Sequence, residues 1–180
     1  MRRITDGKGL DKIKPRVPVV LTTPMAVQKA AFLGSQGSNG HAGMGELVLV
    51  DVGGATTDVY SMADGRQGGR DIIARGLKEP FSKRTVEGDL GVRINANTII
   101  TRVGKDGYCE RFEAMFPEFK IARDELLGYV KAVNEDHGRV PTTDWQYAAD
   151  AALGQAAVDL AIERHVGRKS PYFSAGGTVF

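Results

Sequence analysis

The stretch Glu46-Leu47-Val48-Leu49-Val50-Asp51-Val52 constrains the fold more than any other part of the chain. It is a near-continuous apolar run of strand length with a carboxylate close to its end, the pattern of a strand buried on both faces. Gly53-Gly54 follows as a tight turn, and Ala55–Ser61 is β-prone again. Together they predict a hairpin.

Longer helical patterns follow in one continuous segment. A third strand is expected within residues 70–86 and a helix over Glu87–Val103. Glu110–Asn134 reads as one or two helices broken at Pro117. Thr142–Val166 is the strongest helix, Ala-rich, with Thr143 as a cap and Gly167 after its last turn. Upstream, Val17–Leu21 is a short strand candidate whose Pro18 argues for an edge or a strand start. Thr22-Thr23-Pro24 starts a helix, with Thr23 as N-cap, that Gly34 ends. Glycine makes up 23 of 180 residues, well above the usual ~7%, and residues 34–45 read as a flexible glycine-rich connector. The expected division is therefore 1–45, the end of a preceding subdomain plus connector, and 46–180, an α/β subdomain with a mixed sheet and flanking helices. The chain stops on the apolar Phe180, which reads as truncation inside a fold.

Composition removes several classes. The 24 Lys and Arg against 22 Asp and Glu leave a formal charge of +2, so no nucleic-acid footprint is expected. One cysteine, Cys109, allows neither an internal disulfide nor a thiolate zinc cage. No apolar run approaches the roughly 18 residues of a membrane span, and the start lacks the apolar region of a secretory signal. A cytoplasmic location is the default.

Chemistry concentrates in Asp51-Val52-Gly53-Gly54-Ala55-Thr56-Thr57-Asp58-Val59. Glycine lets backbone N–H groups gather around a phosphate. Thr56 and Thr57 can add hydroxyl donors, and Asp51 can hold Mg²⁺ through water. The competing reading is a plain hairpin turn whose glycines supply positive φ. The segment from Arg84 to Arg93 places Glu87 and Asp89 at a strand-to-helix junction. There they either face a ribose or a partner, or serve the helix, with Asp89 capping and Arg84 paired to Glu87. His41, His137 and His165 have no ligand spacing, and His165 reads as a helix-end dipole and capping residue. Cys109 reads as a bystander, Trp145 and Tyr147 as packing anchors, and Lys120–Lys131 as a solvated helix face. A Gly-x₄-Gly-Lys-[Ser/Thr] loop and a His-Glu-x-x-His motif are both absent from the sequence.

The Asp51–Val59 motif after an apolar strand resembles the second phosphate motif of the actin, DnaK and sugar-kinase superfamily. The wider stretches Leu49–Ser61 and Glu79–Arg93, with Thr23-Pro24-Met25-Ala26-Val27 and Arg164-His165-Val166-Gly167, resemble the glutamate-mutase-associated MutL family, over about residues 17–167. The resemblance implies an actin-like ATPase, of ribonuclease-H-like fold, that uses ATP and Mg²⁺. It further implies chaperone-like reactivation of an adenosylcobalamin-dependent mutase or aminomutase. Asp51 and Asp58 are then the candidates for polarising water, with Asp51 also at the metal. Gly53, Gly54, Thr56 and Thr57 clasp the terminal phosphates, and Glu87 and Asp89 lie near adenosine. One phosphate loop of the two such a protein needs is present, so a central section, inactive in isolation, is expected. A small-molecule kinase on the same fold and an actin-like assembly or binding module without turnover are the competing functions.

Overall fold

A computed structural model describes residues 21–65, 79–167, 172–174 and 177–179. The strand expected at Val17–Leu21 lies, apart from Leu21, outside these residues. The expected hairpin is present: β3 (Leu47–Val52) and β4 (Thr57–Met62) are neighbours in a three-stranded sheet completed by β5 (Ser82–Glu87), in the order β3-β4-β5. Four residues join β3 to β4, a connection that only antiparallel neighbours allow. The Ala63 N–H donates to the Phe81 carbonyl at 2.9 Å, so the end of β4 lies beside the start of β5 and that pair is antiparallel too. The central strand β4 is the buried one. Edge strand β3 is half-buried, with Val48 and Asp51 exposed. A continuous apolar run was expected to be covered on both faces; among the described residues it is an edge strand and part of it is open.

The described residues pack as two compact units, 21–49 with 60–65 and 79–84, and 50–59 with residues from 85 onward. In the first, α1 (Thr23–Gln36) starts after Thr22 with Pro24 in its first turn and runs past Gly34. Thr22, not Thr23, holds the N-cap position, and its side chain makes no capping bond. The glycine-rich stretch expected as a flexible connector is folded. Strands β1 (Gly37–Ser38) and β2 (His41–Ala42) pair antiparallel around Asn39-Gly40, with φ of 52° and 83°. Those left-handed angles are what a two-residue hairpin turn demands, and Asn-Gly supplies them. Met44 N–H and Gly45 N–H then donate to the Gly34 and Ser35 carbonyls and tie the hairpin to the helix end. Ala31, Tyr60 and Met62 form this unit's core with Val27, Leu47, Leu49 and Phe81 around it. Arg84 lies 5.7 Å from the centre of the Tyr60 ring.

In the second unit, α2 (Ala96–Val103), α3 (Lys105–Met115), α4 (Arg123–Glu135) and α5 (Asp144–Val166) pack against one another. Their core includes Ile99, Tyr108, Phe112, Leu126, Val130, Val133 and Leu153, with Val59 from β4 and Leu90. The break expected at Pro117 separates α3 from α4, and Gly167 closes α5 as expected. Thr143 holds the cap position without a side-chain bond. The helix expected over Glu87–Val103 is shorter, because Glu87 still belongs to β5 and residues 88–95 form a loop. The N–H groups of Val92, Arg93 and Ile94 donate to the β3–β4 turn and are therefore not available to propagate a helix.

Cys109 is buried, and burial pushes its thiol upward, consistent with a bystander. Trp145 packs on the core with its ring centre 5.5 Å from that of Tyr129, whereas Tyr147, expected as an anchor, is exposed. The segment expected as a solvated face carries a buried stripe, Leu126, Tyr129 and Val130, at helical spacing. Strands β6 (Tyr172–Ser174) and β7 (Gly177–Val179) form a separate antiparallel pair. Among the described residues no helix is long and apolar enough to cross a membrane.

Candidate functional site

The β3–β4 turn closes with Gly53 N–H donating to the Thr56 carbonyl at 2.8 Å. Every carbonyl from Gly53 to Ala55 is occupied by the 88–95 loop. Gly53 accepts from Val92 N–H at 3.1 Å, and Gly54 accepts from Arg93 and Ile94 N–H at 3.0 and 2.9 Å. The Asn95 Nδ2 donates to the Ala55 carbonyl at 2.9 Å and to the Gly88 carbonyl at 3.0 Å. The N–H groups of Gly54 and Ala55, by contrast, make no hydrogen bond among the described residues. Two unbonded amides on exposed residues of a turn whose carbonyls are all engaged form a surface suited to an anion.

The glycines do not behave as a plain turn requires. Neither Gly53 nor Gly54 has positive φ. A Cβ on Gly54 would meet the Arg93 side chain at an ordinary 3.5 Å, so the surrounding structure gives no reason for glycine at this exposed position. Asp51 is exposed on β3. On β4, Asp58 is 8% exposed and accepts from the Thr56 hydroxyl at 3.3 Å. Thr57 is fully buried and its hydroxyl donates to the Leu90 carbonyl at 2.7 Å. Asp51, Gly53, Gly54, Thr56 and Asp58 are thus gathered at one hairpin end, while the Thr57 hydroxyl is directed into the loop.

Glu87 and Asp89 are gathered elsewhere, around Arg164. The Arg164 guanidinium donates to Glu87 Oε2 at 2.7 Å and forks onto Asp89 at 2.5 and 3.0 Å. Those hydrogen bonds hold the Asp89 carboxyl below its ordinary range and hold Arg164 more firmly protonated. Neither carboxylate caps a helix, since α2 begins at Ala96, and the expected partner of Glu87, Arg84, is replaced by Arg164. The neighbouring His165 is 4% exposed, and its Nδ1 shares a hydrogen bond with Thr85 Oγ1 at 2.8 Å. It lies in the last turn of α5, the helix-end position expected of a dipole and capping residue, and from there it also joins α5 to β5. Arg102 and Arg164 also line a cavity of about 410 Å³ with Leu160, Glu163 and Gly167.

Sequence reasoning missed a second anchor. Arg93 makes a two-pronged ion pair with Asp150 on α5, at 2.9 and 2.5 Å, and the Tyr129 hydroxyl donates to Asp150 at 3.1 Å. The hydrogen bonds to Asp150 raise the Arg93 pKa, and burial, reinforced by Asp150, pushes the Tyr129 hydroxyl up to about 12. Arg93 ends a stretch already singled out, but no periodicity or spacing marks Asp150 as its partner.

A three-stranded antiparallel sheet with flanking helices, and an exposed glycine turn clasped by one loop, define an α/β protein with an anion-accessible hairpin end. The chain belongs to the glutamate-mutase-associated MutL family that its motifs resemble, for the family model described as MutL protein matches residues 1–180. It is 34% identical over 182 residues to "Protein MutL" of Clostridium tetanomorphum, an alignment covering 100% of this chain and 38% of that relative. No solved structure matches the chain.

Proposed function

We propose that this chain is the phosphate-binding section of a nucleotide-dependent factor that reactivates an adenosylcobalamin-dependent mutase, on an actin-like ATPase fold. The observation that carries the nucleotide reading is Gly54: exposed, at negative φ and uncrowded, it is glycine without an internal structural need. Close approach of a ligand phosphate to the backbone supplies that need. The mutase partner rests on family membership.

In this reading the Gly54 and Ala55 N–H groups hold terminal phosphate oxygens, and the Thr56 hydroxyl turns from Asp58 to add a third donor. Asp51 suits Mg²⁺ as an exposed single carboxylate. Among the described residues no group of three or more acidic, His or Cys side chains could cage a metal, and Mg²⁺ characteristically keeps several waters and takes one or two carboxylates. Bound there, the ion would neutralise charge on the phosphate oxygens. Asp51 is also the better placed of the two carboxylates to orient an attacking water, because Asp58 is buried and already accepts the Thr56 hydroxyl. Thr57 serves the fold in this scheme, and Glu87 and Asp89 shape the loop.

The test is Mg²⁺-dependent ATP turnover in a full-length protein carrying this section. Asp51→Ala and Gly54→Val should each lower turnover by about 10²-fold or more while leaving the circular dichroism spectrum unchanged. Undiminished turnover in both variants overturns the assignment.

A further inference from the structure

The 88–95 loop touches the glycine turn through the carbonyls of Gly53, Gly54 and Ala55. Backbone N–H groups of Val92, Arg93 and Ile94 take those of Gly53 and Gly54, and the Asn95 side chain takes that of Ala55. Peptide planes are rigid, so fixing a carbonyl fixes the N–H across the same peptide bond. The Gly53 carbonyl therefore sets the Gly54 N–H, and the Gly54 carbonyl sets the Ala55 N–H. The Ala55 carbonyl likewise sets the Thr56 N–H. The loop itself is held at several points, among them Asp89 on Arg164 and the Leu90 carbonyl on the Thr57 hydroxyl. The second hydrogen of Asn95 Nδ2 reaches Gly88 at the start of the loop, and the Arg93 guanidinium is forked onto Asp150 of α5.

Resting on the nucleotide reading above, we infer that Asn95 and the Arg93–Asp150 pair are positioning residues for the phosphate-binding amides. They touch no phosphate. They hold the turn's carbonyls on the loop so that the Gly54 and Ala55 N–H groups are already oriented when an anion arrives, and the ligand bears no cost of ordering them. Asn is required at 95 because one amide nitrogen must donate to two carbonyls at once. Aspartate has the same shape but presents oxygens to both carbonyls. At 150, Asn keeps the size of Asp and removes the charge that grips Arg93.

The test uses a ¹⁵N-labelled full-length protein carrying this section, with Mg²⁺-ATP and inorganic tripolyphosphate as probes and the Gly54 and Ala55 amide resonances as readout. In the parent sequence both resonances should shift on titration with either probe. Asn95→Asp and Asp150→Asn should each weaken that binding by about tenfold or more, with the amide resonances of Leu153 and Ala157 in the α5 core unmoved. A residue that merely stabilised the fold would lower the melting temperature and leave the affinity of the folded protein unchanged. If the parent resonances do not respond to either probe, the nucleotide reading falls and takes this inference with it. If they respond, and Gly54→Val abolishes the response while the folded Asn95→Asp or Asp150→Asn variant binds as the parent does, the inference alone is overturned. Should Asn95→Asp fail to fold, Asp150→Asn decides.

Discussion

A methyl group at position 91 would stand 2.2 Å from the Ala55 carbonyl carbon and 2.5 Å from its oxygen. Backbone crosses backbone there, and nothing flexible can move aside. Gly91→Ala should destabilise the chain by about 3 kcal/mol. Gly88, in the same loop, has negative φ and open space where a Cβ would go, so Gly88→Ala should stay within about 0.5 kcal/mol of the parent. Urea unfolding midpoints of the two variants check this contrast. The Asp89–Arg164 fork gives a second expectation at the same scale. Because the fork lowers the Asp89 pKa, Asp89 stabilises the folded state above its ordinary value of 3.8 and loses that contribution as the pH falls through the lower folded value. Arg164→Gln should remove this contribution, so its stability deficit against the parent should shrink below about pH 4. Thermal unfolding from pH 7 to pH 2.5 would show it, and a pH-independent deficit would contradict it.

Among the elements, α5 shows how much was legible. Its length, its glycine stop and its alanine content all read directly from the sequence, because local propensity and packing agree there. Ala149, Ala152, Ala156, Ala157 and Ala161 are all buried without residual exposure, so small side chains are what allow the neighbouring helices to approach. Ala156→Leu should cost about 1–3 kcal/mol, whereas Ala151→Leu on the exposed side of the same helix should be near neutral; melting temperatures separate the two. The Asp51–Asp58 hairpin was legible for the same reason, its period and its turn pointing one way. The glycine-rich stretch was misjudged although it carried its own signal, the dipeptide Asn39-Gly40, because total glycine content outweighed the position of one pair. The 88–95 loop was misjudged as helix because nothing local shows that its N–H groups are claimed by a turn some 40 residues earlier. Arg93–Asp150 and Thr85–His165 were invisible for the same reason: pairings between distant residues leave no period.

On the scale of the whole molecule, the chain spans 38% of the length of the Clostridium relative, and under the proposed function the remainder supplies the opposing half of a nucleotide site. Within this section, the site already depends on residues far apart along the chain. Gly53 and its neighbours are clasped by a loop that is in turn gripped by Asp150, 57 residues beyond Arg93, and by Arg164, 75 residues beyond Asp89. That spacing has a consequence for synthesis. At about 5–20 residues per second, some 3–11 s separate the appearance of Arg93 from that of Asp150. During that interval the glycine turn exists without its distal grip, and closing so long a segment is itself slow. Under the proposed function, anion-binding competence is therefore acquired late, when α5 docks, and a nascent chain halted before that helix would carry the motif without the function.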